Sequence, residues 1–75
     1  MNVLLYYKYV AVPNAEAETE AHRRLCTELE LRGRILIGAE GINGTCSGTP
    51  ENIERYKEAL NRHPLFGGIA FKRAP

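Results

Sequence analysis

His22, Cys26, Cys46 and His63 are the residues of this chain best suited to hold a borderline metal ion, and they make one four-ligand set with nothing spare. His22 and Cys26 stand four apart, which puts both side chains on one face of a helix. Zinc takes tetrahedral sets of this composition. The set lacks a paired Cys-x2-Cys knuckle, however, and the ordinary fates of such residues are a hydrogen-bonded histidine and a buried thiol. The sequence predicts no metal site. Two cysteines are too few for a disulfide scaffold, so Cys26 and Cys46 are expected as reduced thiols. Asp is absent, and any triad or carboxylate pair would fall to the glutamates.

A cysteine can also be a nucleophile. Sulfur-transfer sites of the rhodanese type use a Cys-x4-Arg loop whose amides cradle an anion. At that spacing after Cys46 stands Glu51, which has the wrong charge. A reactive thiolate needs electropositive surroundings, and none are apparent here. Gly44-Thr45-Cys46-Ser47-Gly48 resembles the Gly-Thr-Val-x-Gly strand of acylphosphatases, which hold an acyl phosphate on an essential Arg in the loop after the first strand. The corresponding loop, Val10 to Asn14, has no Arg and no glycine cradle. No catalytic residue is expected in this chain.

Nucleic-acid contact is the remaining chemistry. Aromatics and cations on an open sheet face are how RRM-type domains hold single-stranded RNA. Tyr6 and Lys8 are expected on that face together with Lys72, with Arg73 adding a cation, although no RNP1-like pattern occurs. Contacts would then run mainly to phosphates. The stretch from Arg55 to Pro75 is expected to be the basic side, whereas Arg23-Arg24 reads as a solvated helix face paired with Glu20 and Glu28.

These side chains need elements to position them. Val3 to Val12, rich in β-branched and aromatic residues, predicts a strand. Leu4, Tyr6, Lys8 and Val10 share one face and Val3, Leu5, Tyr7 and Tyr9 the other, both apolar enough for a central strand covered partly on both sides. Asn14 caps a helix whose buried stripe is Ala21, Leu25 and Leu29, with Cys26 beside it and Gly33 as the positive-φ residue past its end. Arg34 to Ala39 predicts a second strand. Asn43-Gly44 carries a type I′ hairpin signal, with Thr45 to Ser47 returning. Thr49-Pro50-Glu51 opens a second helix, with Ile53, Tyr56 and Leu60 inward. Ile69 to Arg73 closes the chain as a strand with Ile69 and Phe71 inward. The order βαββαβ predicts an α+β, ferredoxin-like sandwich: a four-stranded antiparallel sheet with two helices on one face.

The bulk numbers agree with a small globular unit. A chain of 75 residues, 44% hydrophobic and 25% charged, with a net charge of +1, allows a single domain and projects no strong field toward a polyanion. Such a chain buries only ~60% of its unfolded surface, so it is expected to be marginal alone or to borrow stability from a neighbour. No apolar run approaches the ~20 residues of a membrane span, and no signal-peptide pattern occurs. A cytoplasmic protein with no membrane partner is expected.

The most distinctive local sequence is Glu40-Gly41-Ile42-Asn43-Gly44-Thr45. Its bland reading is a hairpin tip; an exposed Ile42 there would suit docking of another domain. With Tyr7-Lys8-Tyr9-Val10, Leu31-Arg32-Gly33-Arg34-Ile35-Leu36-Ile37 and Ser47-Gly48-Thr49, it resembles the N-terminal, acylphosphatase-like domain of the rhodanese-related tRNA uridine hydroxylases. The resemblance runs from about Leu5 to Phe71. It implies a parent enzyme that forms 5-hydroxyuridine at the wobble position with molecular oxygen, its catalytic Cys lying in a rhodanese domain absent here. It singles out Arg34 and the loop from Glu40 to Thr45 as a turn or docking element. The expected function is an accessory domain, not catalytic alone and without a cofactor of its own, presenting tRNA or supporting the rhodanese domain. The alternatives are a small acylphosphatase-like hydrolase, which an Arg in the first loop would have favoured, and a purely structural interaction module.

Overall fold

Two caps set the helices. Asn14 Oδ1 accepts from the Ala17 amide at 3.1 Å and starts α1, Ala15–Glu28. Thr49 Oγ1 accepts from the Asn52 amide at 3.2 Å and, with Pro50 in the first turn, starts α2, Pro50–Arg62. In the computed structural model, which describes residues 2–73, these helices join four strands: β1 Asn2–Tyr9, β2 Arg32–Gly38, β3 Gly41–Gly48 and β4 Phe71–Arg73. Met1 and residues 74–75, the end of the expected basic stretch, lie outside that range.

All pairings are antiparallel and the sheet order is β2-β3-β1-β4. This is the ferredoxin-like α+β fold expected from the element order. The core forms where the sheet meets the helices, from Leu4, Tyr6, Ile42, Cys46, Ile53, Tyr56, Leu60 and Phe66.

Several local expectations are overturned. Helix α1 ends through Glu30, at φ 53°, and not through Gly33. The Leu31 amide reaches back to the Cys26 carbonyl and the Glu30 amide to that of Thr27, so the terminal carbonyls are satisfied before β2 begins. Gly33 lies inside β2. On α1 the buried position belongs to His22, while Ala21 is exposed.

The hairpin turn is Ala39-Glu40, between the paired residues Gly38 and Gly41, and Asn43-Gly44 lies within β3. Neither turn residue has positive φ; Gly41 does, at 146°, where a Cβ would fall 2.0 Å from the Lys8 carbonyl oxygen. Burial decides the register. With the turn at 39–40, Ile42, Gly44 and Cys46 alternate inward; a turn at 43–44 would strand Ile42 at the tip, yet it is 3% exposed.

Candidate functional site

The alternation of β1 places Leu4, Tyr6 and Lys8 under the helices and Leu5, Tyr7 and Tyr9 on the open face. Tyr6 and Lys8, expected on the open face with Lys72, face the helices instead. Tyr6 is 3% exposed, its ring edge-on to Phe71 at 5.3 Å. Lys8 Nζ donates to the Gly67 carbonyl oxygen at 2.7 Å, tying the sheet to the turn before β4. The amphipathic stem lets a lysine enter an inward position if its head finds an acceptor. Arg73 pairs in register with Leu4 on the helix side, its guanidinium 3.9 Å from Glu54. Of the four residues expected to meet RNA, only Lys72, opposite Leu5, is on the open face.

The motif residues also divide by parity. Ile42 and Gly44 are buried, Glu40 is exposed at the turn, Gly41 is half-buried beside it, and Asn43, Thr45 and Arg34 are exposed on the open face. The expected exposed Ile42 is therefore corrected as well.

Beneath the sheet lies a polar line. The hydroxyls of Tyr6 and Tyr56 are hydrogen-bonded, and Tyr56 Oη lies 2.6 Å from His22 Nε2. Burial lowers the His22 pKa to about 4, with His63 lowering it further and Glu18 partly offsetting, so the ring is neutral at pH 7. Burial likewise raises both tyrosines. His63 Nδ1 accepts from the Leu65 and Phe66 amides at 3.0 and 3.3 Å, leaving the proton on Nε2. That nitrogen lies 2.5 Å from Glu18 Oε2, a buried carboxylate oxygen with no hydrogen-bond partner among the described residues.

The thiols are unsuited to nucleophilic work. Burial pushes Cys26 up to about 11 and also raises Cys46, so both are protonated at neutral pH. No three His, Cys or Glu side chains converge as metal ligands among the described residues. In the loop after β1, the Val10 and Val12 amides donate to the carbonyls of Glu40 and Ala39, at 2.9 and 3.0 Å, and are not free to cradle a phosphate.

The open face is different in kind. Its cross-strand rows are Arg32–Ser47–Val3, then Arg34–Thr45–Leu5–Lys72, then Leu36–Asn43–Tyr7, and last Gly38–Gly41–Tyr9. These rows carry no carboxylate, and Arg32, Arg34 and Lys72 have no acidic group within 4.0 Å among the described residues. The cations of the helices are compensated: Arg23 and Arg24 by Glu20, Arg55 by Glu51, Lys57 by Glu54 and Arg62 by Glu58. The basic side is thus the open sheet face, to which the C-terminal stretch contributes Lys72 while its Arg55, Lys57, Arg62 and Arg73 lie near carboxylates. Tyr7, Tyr9 and Leu36 are exposed there to 61%, 84% and 62%. Sequence reasoning missed Arg32, Leu36, Tyr7 and Tyr9 as one surface; the signal was the alternation Arg32-x-Arg34-x-Leu36.

Comparison with known proteins places the chain in a family. The family model of the UPF0176 acylphosphatase like domain matches residues 1–75. The chain belongs to that family. Similar relatives are the tRNA uridine(34) hydroxylases of Bacillus mycoides, 57% identical over 70 residues, and of Bacillus cereus and Bacillus anthracis, each 56% identical. These matches cover 93% of this chain but only 22% of each relative, so the chain spans about a fifth of the length of the relatives it matches. No helix among the described residues is long and apolar enough to cross a membrane.

Proposed function

We propose that this domain is an accessory module of a cytoplasmic tRNA-modifying enzyme that hydroxylates the wobble uridine, and that its open sheet face meets the tRNA. The observation carrying this reading is the arrangement of Arg32, Arg34 and Lys72 on rows without a carboxylate, beside exposed Tyr7 and Tyr9. Unpaired cations favour a phosphate backbone, and tyrosine faces accept stacked bases. The names of its relatives, tRNA uridine(34) hydroxylases, supply the substrate class. Oxygen-dependent chemistry is assigned to a rhodanese domain of the parent enzyme, and the domain itself contributes binding only. An acylphosphatase-like hydrolase is disfavoured because the loop after β1 has no Arg and the Val10 and Val12 amides are engaged.

A second reading has one observation in its favour. Leu5, Tyr7, Tyr9 and Leu36 are the exposed large hydrophobics among the described residues, and all lie on this face. A patch of this kind also suits burial against a catalytic domain. Titration of labelled tRNA separates the two. Arg34→Gln/Lys72→Gln should weaken binding, whereas Arg23→Gln/Arg24→Gln on α1 should not. Equal affinity for all three proteins would leave domain support as the better reading.

A further inference from the structure

The open face ends, at the hairpin, in a depression of about 600 Å³ between Tyr7, Tyr9, Leu36 and Asn43, floored by the paired glycines Gly38 and Gly41. Gly41 is glycine for its backbone: φ is 146° and a Cβ would strike the Lys8 carbonyl. Gly38 has no such reason. Its φ lies outside the left-handed region, and a Cβ there would meet nothing within 4 Å. The parity of β2 aims that missing side chain outward, alongside Leu36, into the depression. The fold does not require the gap; the gap keeps the floor flat.

We propose that this depression seats a single unstacked nucleobase from a loop of RNA, while the phosphates on one side of it run along Arg34, Lys72 and Arg32. The proposal rests on the reading of the open face as RNA-facing and assigns the base-holding part of it. Tyr7 and Tyr9 supply π surfaces, with ring centroids 6.0 Å apart and planes at 62°. A base held against either ring leaves its edge toward Asn43, whose amide offers both a donor and an acceptor. Glu40 at the rim repels phosphate from the turn and can accept from a base N–H, such as uracil N3–H. Electrostatics therefore orders the site along the strands. Gly38 lies about 13 Å from Arg34 and about 20 Å from Arg32 at ~3.3 Å per residue, so the base sits at the acidic end and the backbone leads to the basic one.

The test uses the 75-residue chain, a labelled single-stranded oligouridylate, and the same oligomer with its bases removed. Gly38→Leu, whose Cβ would meet nothing within 4 Å, puts an apolar side chain into the floor and should melt as the wild type does. It should weaken binding of the oligouridylate by roughly tenfold while leaving the salt dependence unchanged, because no cation is removed. The abasic oligomer should bind wild type and Gly38→Leu equally. Tyr9→Ala provides a second variant should Gly38→Leu melt early, and should reproduce the loss. Unchanged oligouridylate affinity in both variants, with Arg34→Gln/Lys72→Gln still weakened, would overturn the base seat and leave the RNA-facing reading intact. Binding indifferent to every one of these changes would overturn both.

Discussion

Gly44 of β3 stands directly across from Tyr6 of β1, and the Tyr6 ring fills the space a side chain at 44 would need, with Cζ 2.7 Å from the position of a Cβ. The glycine is there for the neighbour's ring and not for its own φ. Gly44→Val would press on the ring that holds Tyr56, and overpacking of this kind costs about 1–3 kcal/mol. A lowered melting temperature is expected; an unchanged one would mean that Tyr6 relocates freely.

Tyr56 is the centre of the buried polar line, since its hydroxyl meets both Tyr6 and His22. Tyr56→Phe strands two buried groups, at about 1–3 kcal/mol each, whereas Tyr6→Phe leaves the Tyr56–His22 bond in place. Tyr56→Phe should be the more damaging in denaturant unfolding. The reverse order would show that the tyrosine pair, and not the histidine, anchors the line.

His22 makes stability depend on pH. The unfolded state takes up its proton near 6.5 and the folded state only at about 4, so between these values the unfolded chain binds more protons and stability rises with pH. The contribution is on the order of 3 kcal/mol, complete above pH 6.5 and lost as pH falls toward 4. His22→Gln should flatten the profile in this window. Identical slopes in wild type and variant would assign the acid sensitivity elsewhere.

The caps, the second helix and the order of elements were legible because each depends on neighbours in sequence: Asn14 and Thr49 on the amides three residues on, Ile53, Tyr56 and Leu60 on helical spacing. The faces of the sheet were not. Lys8 carried the only charge of β1 and read as solvent-facing, but an acceptor 59 positions away, the Gly67 carbonyl, let it turn inward. Asn43-Gly44 had the better local turn chemistry, yet burial of Ile42 moved the turn to Ala39-Glu40. The first misreading put Tyr6 and Lys8 on the open face in place of Tyr7 and Tyr9, and the second put Ile42 at an exposed tip, because the deciding contacts lie between strands.

Lys8 offers a test of that correction. Lys8→Met should cost about 1 kcal/mol through its lost bond to Gly67 and leave tRNA affinity unchanged. Affinity falling as much as for Lys72→Gln would return Lys8 to the RNA surface.

The proposal that the open face meets tRNA phosphates is tested most directly by the salt dependence of binding. Log affinity should fall linearly with log salt for the wild-type chain, and the slope should shrink by roughly 0.7–0.9 for each of Arg34 and Lys72 replaced by Gln. Arg23→Gln/Arg24→Gln should keep the wild-type slope. An Arg34→Gln/Lys72→Gln slope indistinguishable from wild type would contradict phosphate contact by this face.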